Sequence, residues 1–117
     1  EFRRVLFRSH AIGQVLLLGH PKYSGVELDA LLDDGVVHVV HGTRELRGSV
    51  GETISLVPLH GDARGVTTAG LLYSLSDDRL AAGSTRGVSN EFVSDRATIT
   101  VRDGVVIAVR AAGSTTA

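Results

Sequence analysis

The chain has no cysteine, no methionine and no tryptophan, and only two prolines in 117 residues. Without cysteine there is no disulfide framework and no thiolate metal site. That is compatible with a cytosolic protein, and a cytoplasmic location is the expectation. Aromatics are scarce, with two tyrosines and three phenylalanines. The core must therefore be built from aliphatic side chains. Formal net charge is -1, so the basic excess of a nucleic-acid binder is missing. No apolar run reaches the roughly 20 residues of a membrane helix. No segment pairs a long apolar core with the small-residue cleavage site of a signal peptide. There is no P-loop and no carboxylate cluster suited to Mg²⁺ beside a nucleotide. No serine or cysteine nucleophile motif is present either. At this length the chain is one domain, and by itself it is expected not to be catalytic.

What is present is ordinary in amount, with 43% hydrophobic and 21% charged residues, and distinctive in pattern. Valine, threonine and glycine are frequent, and glycine or Asp-Gly interrupts the chain every few residues, the signature of many short strands. Residues 26–32 and 36–40 read as strands around Asp33-Asp34-Gly35, because Asp-Gly supplies the positive φ of a tight turn. Residues 43–47 suggest a third strand. Residues 53–59 alternate, with Ile54, Leu56 and Pro58 on one side. Pro58 cannot donate to a ladder, which places this strand at an edge or ends it there. His60-Gly61-Asp62 and Ser76-Asp77-Asp78 read as turns. Short strands are expected at 66–68, 71–75 and 80–82, with a loop over 83–87 and another strand starting at Phe92 and Val93. Residues 97–101 and 105–109 read as a hairpin joined by Asp103-Gly104, with Val101 facing Val106 and Ile99 facing Ala108. Its other face carries Val105, Ile107 and Val109 and is too apolar for bare solvent. A further strand layer or a partner is expected to cover it. The fold class is all-β, an antiparallel β-sandwich of short strands. Ahead of it, residues 10–22 carry Ile12, Val15, Leu16 and Leu18 at helical spacing, with a stop at Gly19 and Pro21. Residues 113–117 read as a disordered polar tail.

The first nine residues, EFRRVLFRS, resemble the frame translation of a sequencing-library adapter, and the expectation is to set residues 1–9 aside as a scar. The alternative is a basic N-terminal arm.

One stretch gathers the residues that can meet a ligand. It is GVTTAGLLYSLSDDRLAAGSTRGVSNEF, residues 65–92. Thr67 and Thr68 lead into Gly70 and then Tyr73, and Gly83 to Gly87 leads into Ser89 and Asn90. Glycines let backbone approach a ligand or take positive φ. One aromatic among hydroxyls and amides can stack a flat ring and bond its edge. Each residue also has a plainer reading. Tyr73 is compatible with a half-buried strand tyrosine, Ser89 and Asn90 with a capped turn, and the threonines with strand propensity alone. Thr67 and Thr68 face opposite sides of a strand, so only one can face a given ligand. Arg64 and Arg86 flank the stretch and are weak phosphate-contact candidates; as a pair of solvated arginines they need no ligand. His38 and His41 point to opposite faces of a strand and cannot share a metal, and His20 and His60 have no partner at ligand spacing. No metal site is expected.

The same motifs resemble a family. VTTAGLLYSL followed by GSTRGVSNEF is similar to the C-terminal domain of thiamine pyrophosphokinase (thiamine diphosphokinase). Its members carry Thr-Thr-x-Gly-Leu-x-Trp/Tyr-x-Leu and then Ser-Asn-Glu. GETISLVPL resembles the preceding strand and ATITVRDGVVIAV the closing hairpin. Four motifs in order cover His10 to Arg110. The resemblance implies a β-sandwich, residues 23–112, that binds thiamine. Residues 10–22 would be the last helix of an upstream α/β catalytic domain. Tyr73 would stack on the thiamine pyrimidine, and Ser89 and Asn90 would meet its polar edge. Thr67, Thr68 and Gly70 would complete the contact, with Gly70 and Gly87 shaping the backbone. The intact enzyme would transfer diphosphate from ATP to thiamine, giving thiamine diphosphate and AMP. ATP and Mg²⁺ would be bound mainly by the upstream domain, and a homodimer would share a composite active site. Two other classes stand beside this one: a non-enzymatic small-molecule-binding sandwich and a structural dimerisation sandwich.

Overall fold

The computed structural model describes residues 19–32 and 34–111 and the backbone of residues 3–8. Among them lie eight strands: β1 (Arg3–Arg8), β2 (Val26–Leu32), β3 (Gly35–Val40), β4 (Thr43–Arg47), β5 (Thr53–Ala69), β6 (Asp78–Leu80), β7 (Asn90–Glu91) and β8 (Arg96–Ala111). The all-β expectation holds. The only helical turn described is the 3₁₀ turn Pro21–Tyr23, so the helix expected over 10–22 reduces to that turn where it is described. Residues 9–18 and the expected tail at 113–117 lie outside the described residues. The segment that the sequence suggested setting aside holds β1, which runs parallel to β2.

Two long strands organise the sheet. The order is β1-β2-β3-β8-β5-β6, with β4 also on β8 and β7 also on β5. β5 has 17 residues and β8 has 16, far longer than the usual five or six. They pair antiparallel along their whole length, with a register shift between Leu59 and Arg64. His60, Gly61, Gly65 and Gly104 all have positive φ at this shift. A bulge of this kind bends a strand and increases its twist.

Three sequence expectations fail here for one reason. The turn at 60–62 is this bulge inside a continuous β5. The hairpin at 97–109 is the continuous β8, with Gly104 at the bend. Residues 66–68 are the far end of β5, while 71–75 form a loop that touches the sheet through the bridge Leu71 to Phe92. Positive φ is demanded by hairpin turns and by bulges alike, so Asp-Gly alone does not distinguish them. Pro58 sits in register with Val106 on a stretch of β5 that no described strand pairs on the other side, so β5 is locally an edge there, as expected. It is tolerated because β7 pairs with β5 only at Thr53 and Ile54 and β6 only from Ala63 onward. The strand expected at 80–82 runs from Asp78 to Leu80, and the one expected at Phe92 lies two residues earlier.

The bend folds one sheet into two facing halves. β3 pairs with residues 106–111 of β8, and β4 pairs with residues 96–100. The interior takes Val40, Ile54, Leu56, Val106 and Ala108 from one half and Leu46, Val66, Leu80, Ala97, Ile99 and Val101 from the other. This is the expected sandwich, and Ile99, Val101, Val106 and Ala108 do share one face. The second apolar face of β8 is also buried. Val105 and Ile107 pack with Leu28, Ala30, Val37, Val39 and Leu59, and Tyr23 lies against them.

A polar chain runs through the interior. β3 alternates, so His38 points inward with Val36 and Val40. In register beside it, Asp29 of β2 meets its ring, with Oδ1 2.8 Å from Nδ1. Arg44 of β4 reaches across the sandwich to the same Asp29 oxygen and to the carbonyls of Leu28 (2.9 Å) and Val39 (3.1 Å). On its far side His38 Nε2 lies 3.3 Å from Arg110 Nη1. Arg110 in turn makes a two-pronged pair with Glu52, with Nε and Nη2 each 3.0 Å from a carboxylate oxygen. The arrangement assigns the neutral tautomer of His38, donating from Nδ1 and accepting at Nε2. Burial, with the charges of Arg44 and Arg110, holds the His38 pKa below its ordinary value despite Asp29. Burial would raise Asp29, but the hydrogen bond from His38, and then the charge and hydrogen bond of Arg44, hold it below the usual carboxylate range.

Candidate thiamine-contact surface

The loop between β5 and β6 is closed by the residues singled out in the sequence. The strand ends at Gly70, whose φ is +86°. A Cβ there would collide with the carbonyl oxygen of Arg96, so only glycine lets the chain leave β5 against β8. Gly70 then starts a short antiparallel run: Val93 N–H donates to Gly70 O, and Leu72 N–H donates to Glu91 O, each at 2.9 Å.

Thr67 and Thr68 face opposite ways, and both secure this loop. Thr68 is buried; its hydroxyl accepts from Leu75 N–H at 2.9 Å, and its own N–H donates to Leu75 O at 3.0 Å. Thr67 is exposed, and its hydroxyl accepts from Asp77 N–H at 3.0 Å.

Asn90 clasps the middle of the loop. Its Oδ1 accepts from the N–H groups of Tyr73 and Glu91, and its Nδ2 donates to Tyr73 O, all at 2.9 Å. The side chain is almost fully buried and is turned to the Tyr73 backbone rather than to solvent. Tyr73 itself is 63% exposed. The ring thus stands in solvent on a backbone held at both its donor and its acceptor. Leu72, the residue before it, is also exposed, as are Val88 and Val93 on either side of β7. Ser89, exposed, has φ +60°, which is uncommon for a residue with a side chain. Its N–H donates to Ser55 Oγ at 3.0 Å, which anchors it to β5. Gly87 passes so close to β5 that a Cβ would collide with Leu56 O, and Leu56 N–H donates to Gly87 O at 2.8 Å.

The two arginine candidates part company. Arg86 stays with the loop, 3.3 Å from Asp78. Ser76 N–H, and then Arg86, hold the Asp78 carboxylate below its ordinary pKa. Arg64 lies on the bulge in register with Asp103, up to about 20 Å of strand from Gly70.

The surface is open. Two depressions of about 390 and 440 Å³ among the described residues are lined by groups such as Gly19, Leu59 and Val105, or Glu52, Thr53, Ser55 and Arg110. Neither lining includes Tyr73, Ser89 or Asn90. No group of three or more histidine or acidic side chains that could hold a metal occurs among the described residues. No described helix is long and apolar enough to cross a membrane. Sequence reasoning missed the Asp29–His38–Arg110–Glu52 chain and Arg44. Nothing local singles them out: Asp29 shares its strand face with Glu27, and Arg44 lies in a strand with only one apolar residue.

Comparison with known proteins fits this geometry. The family described as thiamin pyrophosphokinase, vitamin B1 binding domain, matches residues 37–106. That span contains Gly70, Tyr73, Ser89 and Asn90. A search of curated proteins returned no match. Among solved structures, the thiamine pyrophosphokinase of Bacillus subtilis superposes with a TM-score of 0.78 at 20% identity, over 92% of this chain and 55% of that one. The Geobacillus thermodenitrificans enzyme gives 0.75 at 22% identity, over 98% and 57%. The yeast enzyme gives 0.68 at 15% identity, over 91% and 39%. At these identities the likeness establishes the fold, and the chain spans about half the length of the two bacterial proteins. With the family match covering more than half of the sequence, the chain belongs to the vitamin B1-binding domain family of thiamin pyrophosphokinases.

Proposed function

We propose that this chain, through residues 23–112, is the thiamine-recognising half of a thiamine diphosphokinase. One observation carries the reading: an aromatic ring largely in solvent, on a loop whose backbone is fixed from both sides. A free tyrosine would lose entropy on binding a ring. With its backbone already held, Tyr73 loses little main-chain freedom, so the stack is gained at lower conformational cost. The Tyr73 ring stacks on the pyrimidine of thiamine, contributing about 0.5–1.5 kcal/mol beyond burial. The Ser89 hydroxyl meets the polar edge, and Asn90 holds Tyr73 in place. Thr67, Thr68 and Gly70 shape the loop. Arg86, already engaged by Asp78, is the nearer phosphate candidate, and Arg64 the more distant.

An open surface is what half of a composite site requires. A second domain, in a cytoplasmic homodimer, covers Tyr73 and Val93 and supplies the catalytic groups. The described residues offer no acidic cluster for Mg²⁺, so ATP and Mg²⁺ are assigned to that other domain. The reaction joins the hydroxyethyl oxygen of thiamine to the β-phosphorus of ATP and breaks the α–β linkage, releasing AMP. This chain alone binds thiamine weakly and does not turn it over.

The test is thiamine titration of the chain followed by NMR, with wild type and Tyr73→Ala. The expectation is fast-exchange shifts at Tyr73, Ser89 and Asn90 in wild type. Tyr73→Ala weakens binding by roughly three- to tenfold, the worth of the stack. Its thermal midpoint stays close to wild type because the ring is exposed. Unchanged affinity in a folded Tyr73→Ala variant would leave the structural dimerisation reading in its place.

A further inference from the structure

We infer that Arg110 and Glu52 are positioning residues for the Tyr73 loop, acting through Phe92. The inference rests on the thiamine reading above for its consequence and on the geometry for its mechanism. Arg110 is buried at the end of β8 and is fixed on three sides: by the Glu52 carboxylate, by His38 Nε2, and by the face of Phe92, whose centroid lies 5.2 Å from the guanidinium carbon. Glu52 and Phe92 are also joined through backbone. Phe92 N–H donates to Glu52 O at 2.9 Å, and Gly51 N–H donates to Phe92 O at 2.8 Å. Phe92 bridges to Leu71, and its neighbours Glu91 and Val93 bond Leu72 and Gly70. The next residue back is Asn90, which holds Tyr73 at both backbone groups. A continuous series of short, directional contacts therefore runs from the Arg110 fork to the ring that meets the ligand.

Stability alone is a poor account of this pair. Replacing a buried ion pair with apolar residues of similar volume is often neutral or stabilising. What the pair supplies is geometry. A guanidinium offers a rigid planar fork to a carboxylate and a flat face to an aromatic ring, and lysine offers neither. Gly48 lies against the edge of the Phe92 ring, where a Cβ would come within 2.8 Å of Cε2 and Cζ. The ring cannot shift that way without disturbing the 48–53 turn, so the orientation that Arg110 imposes is passed on to the loop.

The experiment compares Arg110→Lys and Glu52→Gln with Val37→Ala in the 117-residue chain. Val37 belongs to the outer apolar cluster, away from Phe92, and its truncation controls for loss of stability alone. Two quantities are read where urea titration finds every variant folded: the Leu72 and Tyr73 amide shifts without ligand, and the thiamine dissociation constant. The expectation is displaced amide shifts in Arg110→Lys and Glu52→Gln and a dissociation constant raised by about two- to threefold, part of the roughly three- to tenfold that the whole stack contributes. Val37→Ala leaves both unchanged. If Arg110→Lys does not fold, Glu52→Gln, which keeps size and shape, carries the test. Amide shifts at Leu72 and Tyr73 matching wild type in the folded variants overturn the inference. So does a dissociation constant that moves equally in Val37→Ala. If wild type itself shows no response to thiamine, the thiamine reading falls alone, and the free-state amide shifts still decide the positioning role.

Discussion

Asn90→Ala removes the clasp that fixes the candidate stacking ring. The wild-type side chain is 2% exposed and makes three hydrogen bonds to backbone, two as acceptor and one as donor. A net contribution of about 0.5–1.5 kcal/mol each gives roughly 1.5–4.5 kcal/mol for the set. Tyr73 lies at the surface, so water can take up its freed N–H and C=O, and the low end applies: about 2 kcal/mol. For a domain of this size 1 kcal/mol moves the thermal midpoint by about 4 °C, so the midpoint should fall by about 8 °C. The loss is also local. The Tyr73 amide should exchange with solvent by opening of the 70–77 loop, well before global unfolding. Calorimetry reads the first quantity and amide hydrogen exchange the second. Asn90→Asp should be no milder, because a carboxylate oxygen would then face the Tyr73 carbonyl. A midpoint within about 2 °C of wild type, together with a still-protected Tyr73 amide, would refute the assignment of Asn90 as the clasp.

Two further perturbations test the frame around the loop. Gly70→Ala combines positive φ with a Cβ driven into the Arg96 backbone, and should destabilise by about 3 kcal/mol or more; a urea midpoint equal to wild type contradicts it. Stability should also fall on acidification. His38 is held neutral below its ordinary 6.5, so below that pH the unfolded chain binds a proton that the folded chain refuses. Its contribution is complete above about pH 6.5 and is lost as pH falls toward the lowered folded value, at up to about 1.4 kcal/mol per pH unit. Asp29, also lowered, extends the loss to more acid pH. Urea unfolding at several pH values between 8 and 5 measures the slope, and a flat profile rules out the neutral His38.

Much of the candidate surface was legible from local chemistry. Gly70, Tyr73, Ser89 and Asn90 stand out because glycine, hydroxyls, an amide and an aromatic do not build a core, and the structure ties the Gly70–Tyr73 loop to Asn90 of β7. Strands β2, β3 and β4 were legible for a related reason: their periodicity is carried by neighbouring residues. The directions of Thr67 and Thr68 followed from strand alternation, though only the fold decided that Thr68 points inward. Asn90 was expected at the ligand's edge, and its side chain is instead engaged with the Tyr73 backbone. An amide can bond either, and the choice depends on how close residue 73 comes in space.

Composition and period 2 were enough to set an all-β chain with an aliphatic interior and one ligand-like cluster, because these depend on each residue and its near neighbours. Only tertiary structure decided that 53–69 and 96–111 are two long bent strands rather than several short ones. At Asp103-Gly104 and at His60-Gly61 the backbone requirement is the same for a turn as for a bulge. What separates the two is the register of the partner strand, about 40 residues away. The same holds for Asp29, Arg44 and Arg110. Each reads locally as a surface charge on a strand, and each is buried because its counter-charge or acceptor arrives from a distant part of the chain. A buried charge is tolerable only with such a partner in place, and that pairing is a property of the folded sandwich.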